Sequence, residues 1–330
     1  MIYVCEPMLG EEEIQNVMAA IKNNQISGTF GKYIDEFERK FSKYCGCKYG
    51  VTTTSGTTAL HLALASLDIK RGDDVILSTL TNIATAYAIA YCNATPVIVD
   101  SEPVTWNLDP NKIERKITDN TKVILPVHIY GHPCNMGLIM KIARKYNLYV
   151  VEDAAEAHGA EYFFKENRKW QKVGSIGDIG CFSFYSNKII TTGEGGMITT
   201  NNKKIYEKAK LLRNLAFSED VRFKHDYLGF NYRMTNLQAA IGKAQVDKID
   251  KLIDKKRDIA KRYSDGLASV KGITLPVEMD WAKNVYWMYS VLIEKEFGLT
   301  RDELISKLRE RDIEARTFFI PMNLQPVFKK

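Results

Sequence analysis

The chain of 330 residues has no apolar run approaching twenty residues, so no membrane span is expected. Its first residues, Met1-Ile2-Tyr3-Val4-Cys5-Glu6-Pro7, lack the basic and apolar regions of a secretion signal. Cysteine pairs are missing too. The six cysteines fit neither a zinc pattern nor a disulfide scaffold: Cys45 and Cys47 have one residue between them, and no second pair follows. Cys5, Cys92, Cys134 and Cys181 are scattered, several in apolar stretches where cysteine serves as a small core residue. The expectation is a reduced, cytoplasmic chain without a metal site. No basic stripe marks a nucleic-acid surface. The net charge of +6 comes from lysines spread through presumed helices, which gives solubility and a mild pull on anionic small molecules. Internal repeats, low-complexity tracts and long flexible linkers are also absent.

What remains is an ordinary globular composition, 45% hydrophobic and 26% charged, on a chain long enough for a large core and two domains. From about residue 50 to 200, short apolar runs alternate with amphipathic segments. The strand candidates are 74–77, 96–100, 123–127, 148–151, 180–184 and 196–200, with helices such as Ala59 to Leu67 and Leu138 to Tyr146 between them. That alternation predicts an α/β fold: a mostly parallel central sheet covered by helices on both faces, with ligands at the carboxyl ends of the strands. Beyond about residue 235 the character changes to a long, lysine-rich helix candidate from Leu237 to Tyr263 with a possible break. Strand-like Tyr286 to Ile293 and a helix near 301–311 follow. A large domain over 1–240 and a smaller C-terminal α/β domain over 241–330 are expected.

Three features fall where a site belongs. Lys188 closes the run Phe182-Ser183-Phe184-Tyr185-Ser186-Asn187-Lys188, Asp153 lies just past the strand ending Val150-Val151-Glu152, and Thr52 to Leu60 is a hydroxyl- and glycine-rich turn entering a helix. Pyridoxal 5'-phosphate needs such parts: an amine to hold its aldehyde, a carboxylate to keep its ring nitrogen protonated, and N–H and hydroxyl donors for its phosphate. Each has a plainer reading. Lys188 would be one more solvated lysine, Asp153 a helix cap, and Ser55-Gly56-Thr57 an ordinary N-cap. Together they favour the cofactor, with Ser183 as a further phosphate donor. His158 reads equally as a partner of Asp153 or as a buried structural histidine. The stretch Gly193-Glu194-Gly195-Gly196 is no dinucleotide fingerprint, because its spacing is wrong and a strand follows it; close backbone packing beside the lysine is expected.

The motifs extend over nearly the whole chain. They include 31–38 and 55–57, Val127-His128-Ile129-Tyr130-Gly131-His132-Pro133-Cys134, and Glu152-Asp153-Ala154-Ala155-Glu156-Ala157-His158-Gly159-Ala160. Ser183 to Lys188, Thr191 to Gly196, Gly229 to Asn236 and Tyr286 to Ser290 complete the set. With these the chain resembles the DegT-type sugar aminotransferases of the fold-type I pyridoxal phosphate enzymes, most of all their GDP-perosamine synthase branch. The resemblance implies a transaminase that cycles pyridoxal and pyridoxamine phosphate, taking an amino group from L-glutamate to a nucleotide-linked 4-keto-6-deoxyhexose. It implies that Lys188 carries the cofactor and relays protons, that Asp153 pairs with the ring nitrogen, and that Glu156 lies near the ring hydroxyl. Ser55, Gly56, Thr57 and Ser183 would hold the phosphate, joined by Asn231 from across a homodimer interface. Arg316 and Phe318, Gly28 in the 27–31 turn, and Tyr185 would face the substrate. Asn82 stands where relatives often place an aromatic ring over the cofactor, and Asn323 where the branch carries a histidine. Relatives are expected to continue several tens of residues past Lys330, leaving a shorter small domain here. Two rivals stand beside this reading: a sugar 3-dehydratase, whose members carry histidine at the position of Lys188, and a cofactor-binding scaffold without turnover.

Overall fold

The computed structural model describes residues 1–218, 221 and 223–328. Two helices lead in, α1 (Glu11–Lys22) and α2 (Tyr33–Cys45). The alternating region follows: β1 (Tyr49–Thr53), α3 (Gly56–Ser66), β2 (Asp74–Ser78), α4 (Ile83–Tyr91), β3 (Thr95–Val99), β4 (Thr121–Leu125), α5 (Met136–Tyr146) and β5 (Tyr149–Asp153). A hairpin of β6 (Glu161–Phe164) and β7 (Lys169–Lys172) interrupts it before β8 (Ile179–Ser183) and β9 (Gly196–Thr200). Helices α6 (Lys203–Arg213), α7 (Asn236–Asp247), α8 (Ile249–Leu267) and α9 (Arg301–Arg309) complete the main elements.

The central sheet has the order β1-β9-β8-β5-β4-β2-β3. Only β9 runs against the others, so the sheet is mostly parallel, as the alternating pattern implied. Successive side chains on a strand point to opposite faces, and here both faces are apolar. Val75, Leu77, Val123, Leu125 and Val151 join one core with Leu60, Leu64, Ala86 and Ile89 from α3 and α4. Ile76, Ile124 and Val150 join a second with Ile139 and Ala143 from α5. Two packed faces fix the height of every strand, and therefore the position of whatever follows its carboxyl end.

Two local expectations are revised and one, the possible helix break, is located. The hydroxyl-rich stretch from Thr52 is not all turn: Tyr49–Thr53 is an edge strand paired with β9, and the turn begins only after it. The long lysine-rich helix breaks at Lys248, which closes α7 and opens α8. The strand-like segment from Tyr286 shrinks to Leu292–Ile293, because Tyr286 adopts φ +48° and the backbone before it docks onto Gly131 instead of pairing. The expected division between residues 240 and 241 falls inside α7, a continuous helix packed on α1 and α2. No helix among the described residues is long and apolar enough to cross a membrane.

Candidate active site

The ends of β1, β5 and β8 bring the expected residues to one rim. Asp153 is the last residue of β5, and its backbone bridges Val127 past the end of β4. It is buried: Thr85 donates to Oδ2 at 2.7 Å and Ala155 N–H to Oδ1 at 3.2 Å. Burial pushes its carboxyl above the usual range, against those donors and the charge of Lys188. A buried carboxylate left short of positive partners suits a cationic ring nitrogen.

Lys188 leaves a tight turn after β8, where its N–H donates to Tyr185 O at 2.9 Å. Its amine lies 3.9 Å from Glu156 Oε1, too far for a hydrogen bond, and 3.7 Å from the centre of the Trp287 ring. Burial holds its pKa below the ordinary lysine value, although Glu156, Asp153 and Cys5 all pull upward. A lysine amine that sheds its proton more easily than in water, and has no tight ion pair, is fit to form a carbon–nitrogen bond. Glu156 is itself buried, accepting the Tyr130 N–H at 2.8 Å on Oε2, and desolvation raises its pKa to about 7.

The anion cradle lies at the start of α3. Ser55 caps the helix, its Oγ accepting from Thr58 N–H, which frees the turn to present the N–H groups of Gly56 and Thr57, unpaired by helix geometry. A side chain at Gly56 would place Cβ 2.7 Å from Ser183 Cβ, so glycine is what lets the helix start approach the end of β8. Ser183 Oγ, on the facing strand, accepts from Tyr185 N–H at 3.3 Å. A helix N-terminus, a hydroxyl opposite it, a buried amine and a buried carboxylate on neighbouring strand ends form a donor set that fits pyridoxal phosphate.

Most of the other expected residues are exposed. Asn231 is exposed, held in a backbone bridge to Asn214. Asn82 is exposed and caps α4, its Oδ1 accepting from Ala84 N–H. Gly28 sits in the 27–31 turn, which Asn236 ties down through bonds to Ser27 O and Phe30 O, both at 2.7 Å. Tyr185 is exposed beside the Lys188 turn. Phe318 packs edge-on against Trp106 and Tyr130, while Arg316 is exposed and paired with Glu314. His158 resolves toward the structural reading. Its ring is fully buried among Phe41, Phe182 and Phe184, neither nitrogen has a hydrogen-bond partner, and burial drives its pKa down to about 3.

Sequence reasoning missed Thr85, Tyr130 and Trp287. Thr85 had a signal, since Thr81 and Thr85 are hydroxyls one turn apart leading into an otherwise apolar helix. Tyr130 and Trp287 stood inside quoted motifs, but only the fold puts the first on Glu156 and the second on Lys188.

Comparison with known proteins identifies the family. Residues 7–330 match the DegT/DnrJ/EryC1/StrS aminotransferase family. A GDP-perosamine synthase of Caulobacter vibrioides is 44% identical over 328 residues, which cover 99% of this chain and 86% of that protein. The crystal structure of S. venezuelae DesV in complex with a ketimine intermediate superposes with a TM-score of 0.88 at 33% identity, covering 96% of this chain and 82% of that one. The PLP form of a sugar aminotransferase, Spr1654 of Streptococcus pneumoniae, gives a TM-score of 0.90 at 27% identity, covering 99% and 86%. The chain therefore belongs to the DegT/DnrJ/EryC1/StrS aminotransferase family and is a pyridoxal phosphate-dependent sugar aminotransferase.

Proposed function

We propose that this enzyme moves the amino group of L-glutamate onto the keto carbon of a nucleotide-linked 4-keto-6-deoxyhexose, yielding the 4-amino sugar in the manner of a GDP-perosamine synthase. The observation that carries the reading is the meeting of Lys188, Asp153 and Glu156 at the strand ends, beside the α3 cradle. The 44% identity to a GDP-perosamine synthase supports the choice of sugar class.

Pyridoxal phosphate, when bound, supplies an aldehyde for the amine and a ring that takes up the electron pair left by a departing proton. Asp153 keeps a proton on the ring nitrogen. Lys188 Nζ takes the proton from the glutamate α-carbon, and in the second half-reaction delivers one to the sugar carbon that bears the new nitrogen. Glu156, anchored by the Tyr130 N–H, sits beside the amine, where it would lie near the ring hydroxyl of the bound cofactor. Gly56 and Thr57 N–H groups with the hydroxyls of Ser55 and Ser183 would hold the phosphate of the bound cofactor. Arg316, Phe318, Gly28 and Tyr185 would border the nucleotide sugar, and Asn82 the loop over the cofactor.

The same reading makes the active unit a cytoplasmic homodimer in which Asn231 reaches the partner's phosphate. What supports it is the exposure of Asn231 next to Tyr227 and Leu228, the latter 88% exposed, on a surface that water serves poorly. Intact Lys188 speaks against the dehydratase reading, and the assembled amine, acid and cradle against a scaffold without turnover.

The test offers ¹⁵N-labelled L-glutamate with GDP-, UDP- and dTDP-linked 4-keto-6-deoxyhexoses. Label in a 4-amino sugar, with 2-oxoglutarate released, is the expected result. Absence of label from every sugar, or release of a deoxygenated sugar instead, would overturn the proposal.

A further inference from the structure

Trp287 is 4% exposed and touches the Asn187-Lys188 segment at two points. Its ring face lies 3.7 Å from the amine, and its Nε1–H donates at 2.7 Å to the carbonyl of Asn187, the residue just before the lysine. We propose that Trp287 is a positioning residue for the transamination: its indole clamps Lys188 between edge and face, fixing the backbone at one end and holding the displaced amine at the other. The inference rests on the reading of Lys188 as the cofactor-bearing lysine and adds a residue to that site.

The chemistry favours a ring here over a closer carboxylate. Once a donor amine has taken its place on the cofactor, Lys188 must stay close, stay oriented and still give and take protons. A carboxylate at hydrogen-bond distance would hold the charged form in one direction and resist each deprotonation. A ring face attracts the ammonium without accepting a directional proton, so the amine is kept in place yet free to swing. The groups facing this amine are Glu156 at 3.9 Å, then Asp153 and Cys5, all favouring its charge, with His158 neutral nearby. Burial outweighs them and favours the neutral amine, so the ring's contribution falls where it shifts the balance.

Trp287 is itself held firmly. The Val285 N–H donates to Gly131 O, and a side chain at Gly131, where φ is +102°, would come within 2.9 Å of Trp287 N. Lys256 Nζ donates to Trp287 O at 3.2 Å, and Asn284 Oδ1 accepts the Tyr286 N–H at 2.8 Å. The Cys5 thiol donates to the same Asn187 carbonyl at 3.1 Å, filling its second lone pair. Segments from both ends of the chain thus converge on the peptide that carries the catalytic lysine.

The test replaces Trp287 by a series of tryptophans with increasing ring fluorination, which weakens the face while keeping shape and N–H, and adds Trp287→Phe and Trp287→Leu. Cofactor-free protein is labelled with an amine acylating reagent across pH, and modification of Lys188 is read by mass spectrometry. The pH at which Lys188 becomes reactive should fall step by step with fluorination and fall furthest in Trp287→Leu, while Trp287→Phe lowers it part of the way. In loaded protein the glutamate half-reaction should slow about tenfold in Trp287→Leu and less in Trp287→Phe. A reactivity midpoint that ignores fluorination would overturn the clamp, even with the wild type fully active. If the wild-type protein never attaches the cofactor at Lys188, the proposed function fails instead, and the labelling series still judges the clamp. The fluorinated variants decide the matter should Trp287→Leu not fold.

Discussion

The strand-end rim of the large sheet and the C-terminal stretch beyond Trp287 differ in how many contacts fix each side chain. At the rim, Asp153 is set by backbone bonds to Pro126 and His128, by Thr85 and by Ala155. The residue before it, Glu152, accepts the N–H groups of Gly174, Ile176 and Gly177 and bonds His128, with Gly174 and His128 buried. In that stretch Leu292–Ile293 is a strand of two residues, Arg316 pairs with Glu314 alone among the described residues, and Ile320 is exposed. The lesson is a division of labour. On the proposed reading, chemistry common to every turnover sits where the fold determines each atom, and recognition of one sugar nucleotide sits where side chains can be exchanged cheaply.

Substitutions at the two regions should therefore fail differently. Asp153→Asn should lower kcat roughly a thousandfold with fold and melting temperature nearly retained, because the amide keeps the Thr85 contact but cannot hold a proton on the ring nitrogen; a loss under tenfold would remove the acid from its role. Glu156→Gln probes the cost of the rim. A carboxyl whose native pKa, about 7, exceeds its ordinary 4.5 opposes folding increasingly between those values and fully above them. The cofactor-free variant should therefore match wild type near pH 4.5 and be more stable at pH 8, by on the order of 2 to 3 kcal/mol in thermal or urea melts. A variant less stable at pH 8 would mean Glu156 is better satisfied than its burial implies.

Gly56→Ala should cost about 1–3 kcal/mol in stability by forcing α3 away from Ser183, and weaken cofactor uptake about tenfold, measured by fluorescence titration. Arg316→Ala should give the smallest and most selective effect. The KM for the nucleotide sugar should rise about tenfold, while the glutamate half-reaction and the melting temperature hold. Equal damage to both half-reactions would erase the distinction between the regions.

How far the sequence revealed all this follows the same line. Apolar runs such as Val75-Ile76-Leu77 and Val123-Ile124-Leu125 announced buried parallel strands, and the acid and lysine beyond such runs marked the rim. Strand β1 was hidden because Thr52 and Thr53 carry hydroxyls where a strand usually shows apolar alternation; Thr52 is satisfied by Glu38 and Arg213, distant in sequence. The β6–β7 hairpin was hidden by its charges, Glu161 pairing with Lys172 and Lys283 only in three dimensions. Trp287 was visible as a residue but not as a contact, since nothing local in Tyr286-Trp287-Met288 points to Asn187 and Lys188, distant in sequence.

The most direct measurement is borohydride reduction of the purified protein followed by peptide mapping. One pyridoxyl group should be found on Lys188, and the Lys188→Ala protein should neither take up that label nor show the yellow absorbance. Label on a different lysine, or an alanine variant that keeps both colour and amino-group exchange, would contradict the account.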